Sequence, residues 1–133
     1  MSCFPHGVNR LVLYCCDMGY KQATGDFGEG LAVGFLRDSG FEILHKNWRC
    51  GHWEIDLIAS KNAVLHFFEI KTSRSNEHGF PDDRVDRKKI HHLTCAAEEY
   101  LIHNPSWKRI QFNILSVTLK PSITYFLIED VYL

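Results

Sequence analysis

The segment from His52 to Ser73, HWEIDLIASKNAVLHFFEIKTS, constrains the fold more than any other part of the chain. β-branched and aromatic residues fill it, which predicts two buried strands over residues 52–60 and 63–73. Lys61-Asn62 would join them in a tight hairpin turn, because asparagine tolerates the left-handed backbone that such turns require. A chain with this hairpin must build a sheet around it.

Charged residues interrupt the apolar hairpin at four positions, which are Glu54, Asp56, Glu69 and Lys71. A turn at Lys61-Asn62 would place Asp56 opposite Phe67 and Glu54 opposite Glu69, so all four charged side chains would share one face. The opposite face would carry Ile55, Leu57, Phe68 and Ile70, with His66 as the polar exception. Burying an unpaired charge costs several kcal/mol, so the cluster requires an explanation.

Carboxylates gathered around one point repel each other unless a cation lies between them. Oxygen ligands at this density suit Mg²⁺ or Mn²⁺, and such an ion also binds substrate phosphate. A lysine two residues after a metal-binding glutamate can hold an attacking water or neutralise charge on phosphorus. The cluster therefore favours phosphodiester hydrolysis. The alternative is an ordinary ion pair on a solvated strand face, because a Glu-x-Lys triplet alone is a weak motif.

A helix is predicted before the hairpin, over Asp26–Ser39, because Phe27, Leu31 and Phe35 recur every four residues. Asp26 is the expected N-cap and Gly40 the expected stop. A strand over Phe41–Trp48 follows.

After the hairpin, residues 74–83 have the composition of a loop, and a second helix is predicted over Arg84–His103. Two more strands are expected over Ile110–Leu119 and Ile123–Ile128. The predicted order is α-β-β-β-α-β-β, an α/β fold with a mixed sheet.

Length and composition fit one domain, since the chain has 133 residues of which 45% are hydrophobic. The net charge of −1 argues against coating nucleic acid by bulk charge, but allows a local basic patch. Residues 1–20 show neither a helical nor a strand period, which predicts a loosely attached extension to a single domain over 21–133. Deleting the first 17 residues should then leave the melting temperature nearly unchanged.

Five cysteines occur, at Cys3, Cys15, Cys16, Cys50 and Cys95, without a C-x-x-C spacing. The odd count favours reduced thiols in a cytoplasmic protein. The apolar run Leu11–Cys16 is too short to span a membrane, so no membrane association is expected.

Short motifs recur in order along the chain: Gly28-Glu29, Gly40-Phe41-x-Ile43-Leu44, Asn47-Trp48-Arg49, Glu54-Ile55-Asp56-Leu57-Ile58-Ala59, Glu69-Ile70-Lys71-Thr72, Gly79-x-Pro81 and Val85-Asp86-x-x-Lys89. Together they resemble the YraN family over about residues 24 to 118. The resemblance implies a restriction-endonuclease-like fold, with three α/β/α layers and a PD-(D/E)XK site, similar to archaeal Holliday-junction resolvases. It also implies a metal-dependent endonuclease acting on DNA, in which branched repair or recombination intermediates are candidate substrates.

The resemblance implies roles for individual residues. Asp56 and Glu69 match the metal-binding acids, which would hold Mg²⁺ or Mn²⁺ with the carbonyl of Ile70, and Lys71 matches the catalytic lysine. Glu29 matches an acid that can complete the metal shell, although Asp26-x-x-Glu29 also fits a helix capping box. Glu54 matches a glutamate expected beside the ligands or on the substrate side.

Four positions depart from the family pattern without removing a metal-binding acid. Trp53 replaces glycine, Ser73 replaces arginine, Ile90 replaces a polar residue and Asn113 replaces aspartate. These departures affect the expected substrate contacts.

Basic residues after the site predict a phosphate-binding surface formed by Arg74, Arg84, Lys88, Lys89 and His92. The alternative is a solvated helix face. Two other functions stay open: a non-catalytic nucleic-acid or protein binding module, and a zinc-stabilised module using Cys50-x-His52 or His91-x-x-x-Cys95. A junction resolvase would in addition require a homodimer.

Overall fold

The computed structural model describes residues 10–16, 25–75 and 87–131. Its elements are β1 (Arg10–Cys16), α1 (Gly25–Asp38), β2 (Glu42–Cys50), β3 (Trp53–Lys61), β4 (Val64–Ser75), α2 (Arg87–His103), β5 (Ile110–Lys120) and β6 (Ile123–Glu129). One sheet contains all six strands in the order β1-β6-β5-β4-β3-β2. The β4–β5 pair is parallel and the other four pairs are antiparallel, so the prediction of a mixed sheet is confirmed.

The two helices cover opposite faces of the sheet. α1 packs against a core that includes Leu57, Phe68 and Leu115, whereas α2 packs against Ile58 and Phe67. Phe67 and Phe68 are both fully buried, and burial of each contributes about 2 to 3 kcal/mol. This arrangement confirms the predicted three α/β/α layers.

The end of α1 follows the prediction and its start does not. Gly40 has φ 96°, and the N–H groups of Gly40 and Phe41 donate to the carbonyls of Arg37 (3.0 Å) and Leu36 (2.9 Å). This is the bonding pattern of a Schellman stop with glycine at C′. The helix begins at Gly25, so Asp26 lies in its first turn. The prediction of Asp26 as N-cap is wrong, because an N-cap residue has a non-helical backbone.

The β3–β4 hairpin turns one residue later than predicted, at Asn62-Ala63, with Lys61 paired to Val64. Asn62 and Ala63 have φ values of 54° and 64°, as a type I′ turn requires. Lys61 stays extended because its ammonium donates to the Ser39 carbonyl at 2.7 Å and lies over the Phe41 ring. The predicted register is therefore wrong by two positions along β4.

The correct register places Phe67 opposite Ile58 and Leu57 opposite Phe68. The predicted pairs Asp56–Phe67 and Glu54–Glu69 therefore do not form. A shift of two positions preserves the side of the sheet on which each residue of β4 lies, because side chains alternate with period two.

The N-terminal segment contains a strand that the sequence analysis did not predict. β1 pairs antiparallel with β6 along its whole length, from Arg10 opposite Glu129 to Cys16 opposite Ile123. The sequence predicted a loosely attached extension over residues 1–20 and did not predict this strand. The neighbouring strand supplies the backbone partners that a local sequence period cannot reveal.

The second helix buries the apolar side that its spacing predicted. Ile90, Leu93 and Ala97 are buried, and Leu101 is partly buried against the core that contains Leu93 and Ala97. Arg84, the predicted start of this helix, lies outside the described residues. Within the described ranges, neither helix is long and apolar enough to cross a lipid bilayer.

A buried polar network joins β4, β5 and the end of β6. The Asn113 side-chain amide lies 2.9 Å from Nδ1 of His66, and its oxygen accepts the N–H of Asp130 at 3.0 Å. Burial lowers the pKa of His66 to about 4, with a further contribution from the positive charge of Lys61. His66 is thus a neutral, hydrogen-bonded core residue at neutral pH.

Candidate active site

Asp56 lies where the backbone ladder between β3 and β4 ends. The last pair of that ladder on this side is Leu57 with Phe68. Beyond it, Oδ2 of Asp56 accepts the backbone N–H of Ile70 at 2.8 Å. The side chain thus takes the place of a strand carbonyl as the hydrogen-bond partner of β4. This bond holds a half-buried carboxylate at the fork between the two strands.

Asn47 shapes the fork from the other side of β3. The pairs Trp48–Ile55 and Lys46–Leu57 flank it, so Asn47 lies opposite Asp56. Its φ of 51° is left-handed, which asparagine adopts more readily than most residues. Asn47 belongs to the motif Asn47-Trp48-Arg49, but its sequence context predicted no role for it. The signal in the sequence for a structural role was the residue type, because asparagine tolerates a left-handed backbone.

The local kink also changes which face Ile55 occupies. Ile55 packs in the α2 core with Ile58, whereas Leu57 packs in the α1 core. The prediction that Ile55 shares a face with Leu57 is therefore wrong. The strict alternation of a strand does not continue past the left-handed residue in the neighbouring strand.

The electrostatics of Asp56 reflect burial and surrounding acids. Desolvation by burial is the largest influence and raises the pKa of its carboxyl group to about 6. The hydrogen bond from Ile70 acts in the opposite direction, and the negative charges of Glu69, Glu54 and Glu29 raise the pKa further. The structure thus brings the predicted acids together around Asp56, although through the fork rather than through cross-strand pairing. Among the described residues, no positive charge is a cause of this pKa shift.

Glu69 lies on β4 and faces the start of α2. Its Oε2 forms an ion pair with the Lys89 ammonium at 3.3 Å, and its side chain is 23% exposed. Lys71 follows by two positions on the same strand, so its side chain leaves β4 on the same side. Lys89, predicted to contact phosphate, therefore contacts one of the predicted metal-binding acids in this structure.

The two remaining acids make contacts of their own. Glu29 accepts a hydrogen bond from the Asn47 amide at 3.1 Å, which links α1 to β2. Glu54 pairs with Arg49 at 3.3 Å, and both side chains are solvent-exposed, so this pair contributes little stability. Among the described residues, Glu29, Asp56 and Glu69 do not bring three carboxylate oxygens within 4.8 Å of one another.

The predicted phosphate-binding residues lie around the start of α2. Lys88, Lys89 and His92 are exposed on the first two turns of the helix, and Arg74 is exposed near the end of β4. The His92 ring lies 5.0 Å from the Trp53 ring. The structure therefore places four of the five predicted residues on the surface. Arg84 falls within residues 76–86, outside the described ranges.

The chain resembles known proteins along most of its length. The sequence profile of the uncharacterised protein family UPF0102 matches residues 28–117. A UPF0102 protein of Nocardia farcinica is 40% identical over 105 residues, which are 78% of this chain and 83% of that protein. One of Flavobacterium psychrophilum is 43% identical over 100 residues, with shares of 75% and 84%. One of Dictyoglomus thermophilum is 38% identical over 103 residues, with shares of 77% and 87%. The chain therefore belongs to the uncharacterised protein family UPF0102, the YraN family.

Proposed function

We propose that this protein is a metal-dependent endonuclease that hydrolyses phosphodiester bonds in DNA. The observation that supports the proposal is the environment of Asp56. A carboxylate is fixed at a strand fork by the Ile70 N–H at 2.8 Å, and burial, with a further contribution from three other acids, raises its pKa to about 6. A hard divalent cation is the partner that such a group of oxygen ligands favours. The resemblance to PD-(D/E)XK nucleases supports the same residues.

The donor set fits Mg²⁺ or Mn²⁺, which prefer carboxylate and carbonyl oxygens. Asp56 and Glu69 would hold the ion together with the Ile70 carbonyl, and Glu29 could complete the shell. When bound, the ion would polarise a phosphate oxygen and acidify a water. The hydrogen bond from the Ile70 N–H orients the Asp56 carboxylate for this role.

Lys71 would hold the attacking water or neutralise negative charge that develops on phosphorus. Its side chain leaves β4 on the same side as that of Glu69, so both groups would face the same phosphate. Lys89 already neutralises part of the charge on Glu69 and lies at the start of the basic helix. Glu54 would act beside the ligands, through its charge on Asp56.

DNA would be held by the exposed basic residues near the site, which are Arg74, Lys88, Lys89 and His92 from the described part of the chain. Contacts of this kind bind the phosphate backbone without reading its sequence. They suit substrates recognised by shape, such as branched repair intermediates. Cleavage of a symmetric junction would also require a homodimer.

The proposal is tested with labelled DNA substrates, which include a duplex, a flap, a single strand and a four-way junction, in Mg²⁺ or Mn²⁺. The wild-type protein should cleave at least one of these substrates. Asp56→Asn and Glu69→Gln should each abolish that cleavage, because each removes a charged ligand. Glu42→Gln is the matched control, since it removes one exposed acid at the far end of β2. It should retain wild-type activity. Cleavage that survives in Asp56→Asn would refute the assignment.

A second candidate, a non-catalytic nucleic-acid binding module, is favoured by the ion pair between Lys89 and Glu69, which already occupies one proposed ligand. Calorimetric titration of Mn²⁺ separates the two functions without a known substrate. A nuclease should bind Mn²⁺ in the wild type and not in Asp56→Asn. A binding module should retain DNA affinity in Asp56→Asn, or gain affinity from reduced repulsion.

A further inference from the structure

A row of potential metal ligands runs along α2, away from the acidic site. His91, Cys95, Glu99 and His103 follow one another at four-residue intervals, so they lie on neighbouring turns of one helix side. Glu99 and His103 lie 10 and 14 residues after Lys89, or about 15 to 20 Å along the helix axis. The row is therefore separate from the ion pair between Lys89 and Glu69.

Cys50, the last residue of β2, meets the end of this row. Its Sγ lies 3.9 Å from Oε2 of Glu99, and Nε2 of His103 lies 3.9 Å from the same oxygen. All three ligand atoms lie within 4.8 Å of one another. Among the residues that the structure describes, these are the three His, Cys, Asp or Glu side chains whose ligand atoms come within this distance of one another.

The spacing is close to that of a coordinated ion. Sulfur, nitrogen and oxygen ligands of a tetrahedral Zn²⁺ lie about 3.3 to 3.7 Å from one another. Shortening by about 0.4 to 0.6 Å in the two distances to Glu99, and by at most about 1.2 Å between Sγ and Nε2, would bring the three atoms to these distances. The side chains of Glu99 and His103 are 37% and 61% exposed, so solvent leaves room for such movement.

The chemistry of the ligands selects the class of ion. A thiolate and an imidazole favour Zn²⁺ over Mg²⁺, which prefers oxygen ligands alone. His103 is also the last residue of α2, and the negative end of a helix dipole favours a cation. The sequence had suggested other zinc pairs, Cys50 with His52 and His91 with Cys95. The structure instead joins Cys50 to Glu99 and His103 from a distant part of the chain.

We propose that Cys50, Glu99 and His103 form a Zn²⁺ site, with a fourth position open to water. The site would connect the end of β2 to the C-terminal turn of α2, two elements that are 49 residues apart at the Cys50–Glu99 contact. Because the bound ion crosslinks these elements, Zn²⁺ would stabilise the folded protein. The proposal does not depend on the proposed nuclease activity, since it uses none of the acids around Asp56.

The test is a titration of Co²⁺, a spectroscopic substitute for Zn²⁺, into full-length protein after removal of metals under reducing conditions. The wild type should give the visible bands of tetrahedral Co²⁺ and a near-ultraviolet thiolate-to-cobalt band. One equivalent of Zn²⁺ should displace both. Cys50→Ser should lose the thiolate band, and His103→Ala should weaken Co²⁺ binding by at least about tenfold.

Cys95→Ser is the matched control. Like Cys50, Cys95 is a half-buried free thiol, and it lies on the row along α2, four residues before Glu99. It should bind Co²⁺ as the wild type does. Because His103 is exposed, His103→Ala should fold even if Cys50→Ser does not, and circular dichroism checks both. A missing thiolate band in the wild type would overturn the proposal, and so would a band that survives Cys50→Ser or disappears in Cys95→Ser. Asp56→Asn should retain the band, so failure of this site is distinguishable from failure of the nuclease site.

Discussion

At the scale of single residues, the Asp56 carboxylate lowers the stability of the folded protein and favours the binding of a cation. The folded protein holds its carboxyl group at a pKa of about 6, above the ordinary value of 3.8, chiefly because of burial. The ionised form therefore destabilises the folded state at neutral pH. A carboxylate in this condition gains more from a bound cation than an exposed carboxylate does.

Replacing Asp56 with asparagine should stabilise the metal-free protein at neutral pH. The folded state takes up a proton between about pH 6 and pH 4 while the unfolded state does not, so the destabilisation disappears as the pH falls. Asparagine still accepts the Ile70 N–H and carries no charge. We expect Asp56→Asn to be more stable by about 1 to 3 kcal/mol above pH 6.5 and equal to the wild type near pH 4. Urea unfolding in the presence of a chelator measures the difference, and equal stabilities at pH 7.5 would contradict the prediction.

At the scale of elements, α1 approaches β4 unusually closely at Gly28. A Cβ atom at this position would lie 2.7 Å from Cγ2 and 2.9 Å from Cβ of Thr72. Rotation of the Thr72 side chain cannot relieve the contact with its own Cβ. Glycine at this position therefore sets the distance between the helix and the strand that carries Glu69, Ile70 and Lys71.

Gly28→Ala should destabilise the protein by about 1 to 3 kcal/mol, because the helix must move away from β4. Gly30→Ala is the control on the same helix, since a Cβ there meets nothing within 4 Å. Alanine at that position should stabilise the protein by up to about 1 kcal/mol through helix propensity. Thermal unfolding of the two variants gives the comparison. Equal effects would show that the close approach does not determine the packing of α1.

The N-terminal strand is the second feature at this scale. The sequence favoured a loosely attached extension, but β1 pairs with the whole of β6, where Tyr125, Phe126 and Leu127 are buried. Deleting residues 1–17 would expose the edge of β6, because β1 is its partner on that side within the described part of the chain. We expect the melting temperature to fall by at least about 4 °C, measured by scanning calorimetry. Deletion of residues 1–8, which leaves β1 intact, is the control. An unchanged melting temperature in the longer deletion would support the loosely attached extension instead.

At the scale of the whole molecule, two buried titratable groups oppose each other below neutral pH. Asp56 destabilises the ionised folded state, so its effect weakens as the pH falls. His66 has a folded pKa of about 4, lower than the ordinary 6.5, so the unfolded state takes up its proton first. Stability from His66 is therefore lost between about pH 6.5 and pH 4. The two effects partly cancel in the wild type.

The contribution of His66 should become visible when Asp56 no longer titrates. In the Asp56→Asn background, we expect the free energy of unfolding to fall between pH 7 and pH 4.5. Adding His66→Gln should reduce that fall by about 1 to 3 kcal/mol, because the neutral side chain does not titrate. Urea unfolding at a series of pH values measures the two slopes. Identical slopes would show that His66 does not determine the acid sensitivity.

The sequence by itself determined the features that depend on local patterns. Apolar runs located both ends of each strand from β2 to β6 to within two residues, and Gly40 identified the end of α1. The order of charged residues in the hairpin identified Glu54 and Glu69, two of the three acids whose charges act on Asp56. These features are predictable because burial and helix termination depend on residues that are close together in the chain.

Only the tertiary structure decided how distant segments meet. The turn formed at Asn62-Ala63 because Lys61 contacts Ser39 and Phe41, which lie 22 and 20 residues earlier in the chain. The left-handed Asn47 opened the fork at Asp56, and β6 gave the N-terminal segment its strand partner. Cys50 met Glu99 across 49 positions. Each of these contacts depends on a partner that lies far away in the sequence, so the local pattern of apolar and polar residues does not predict it.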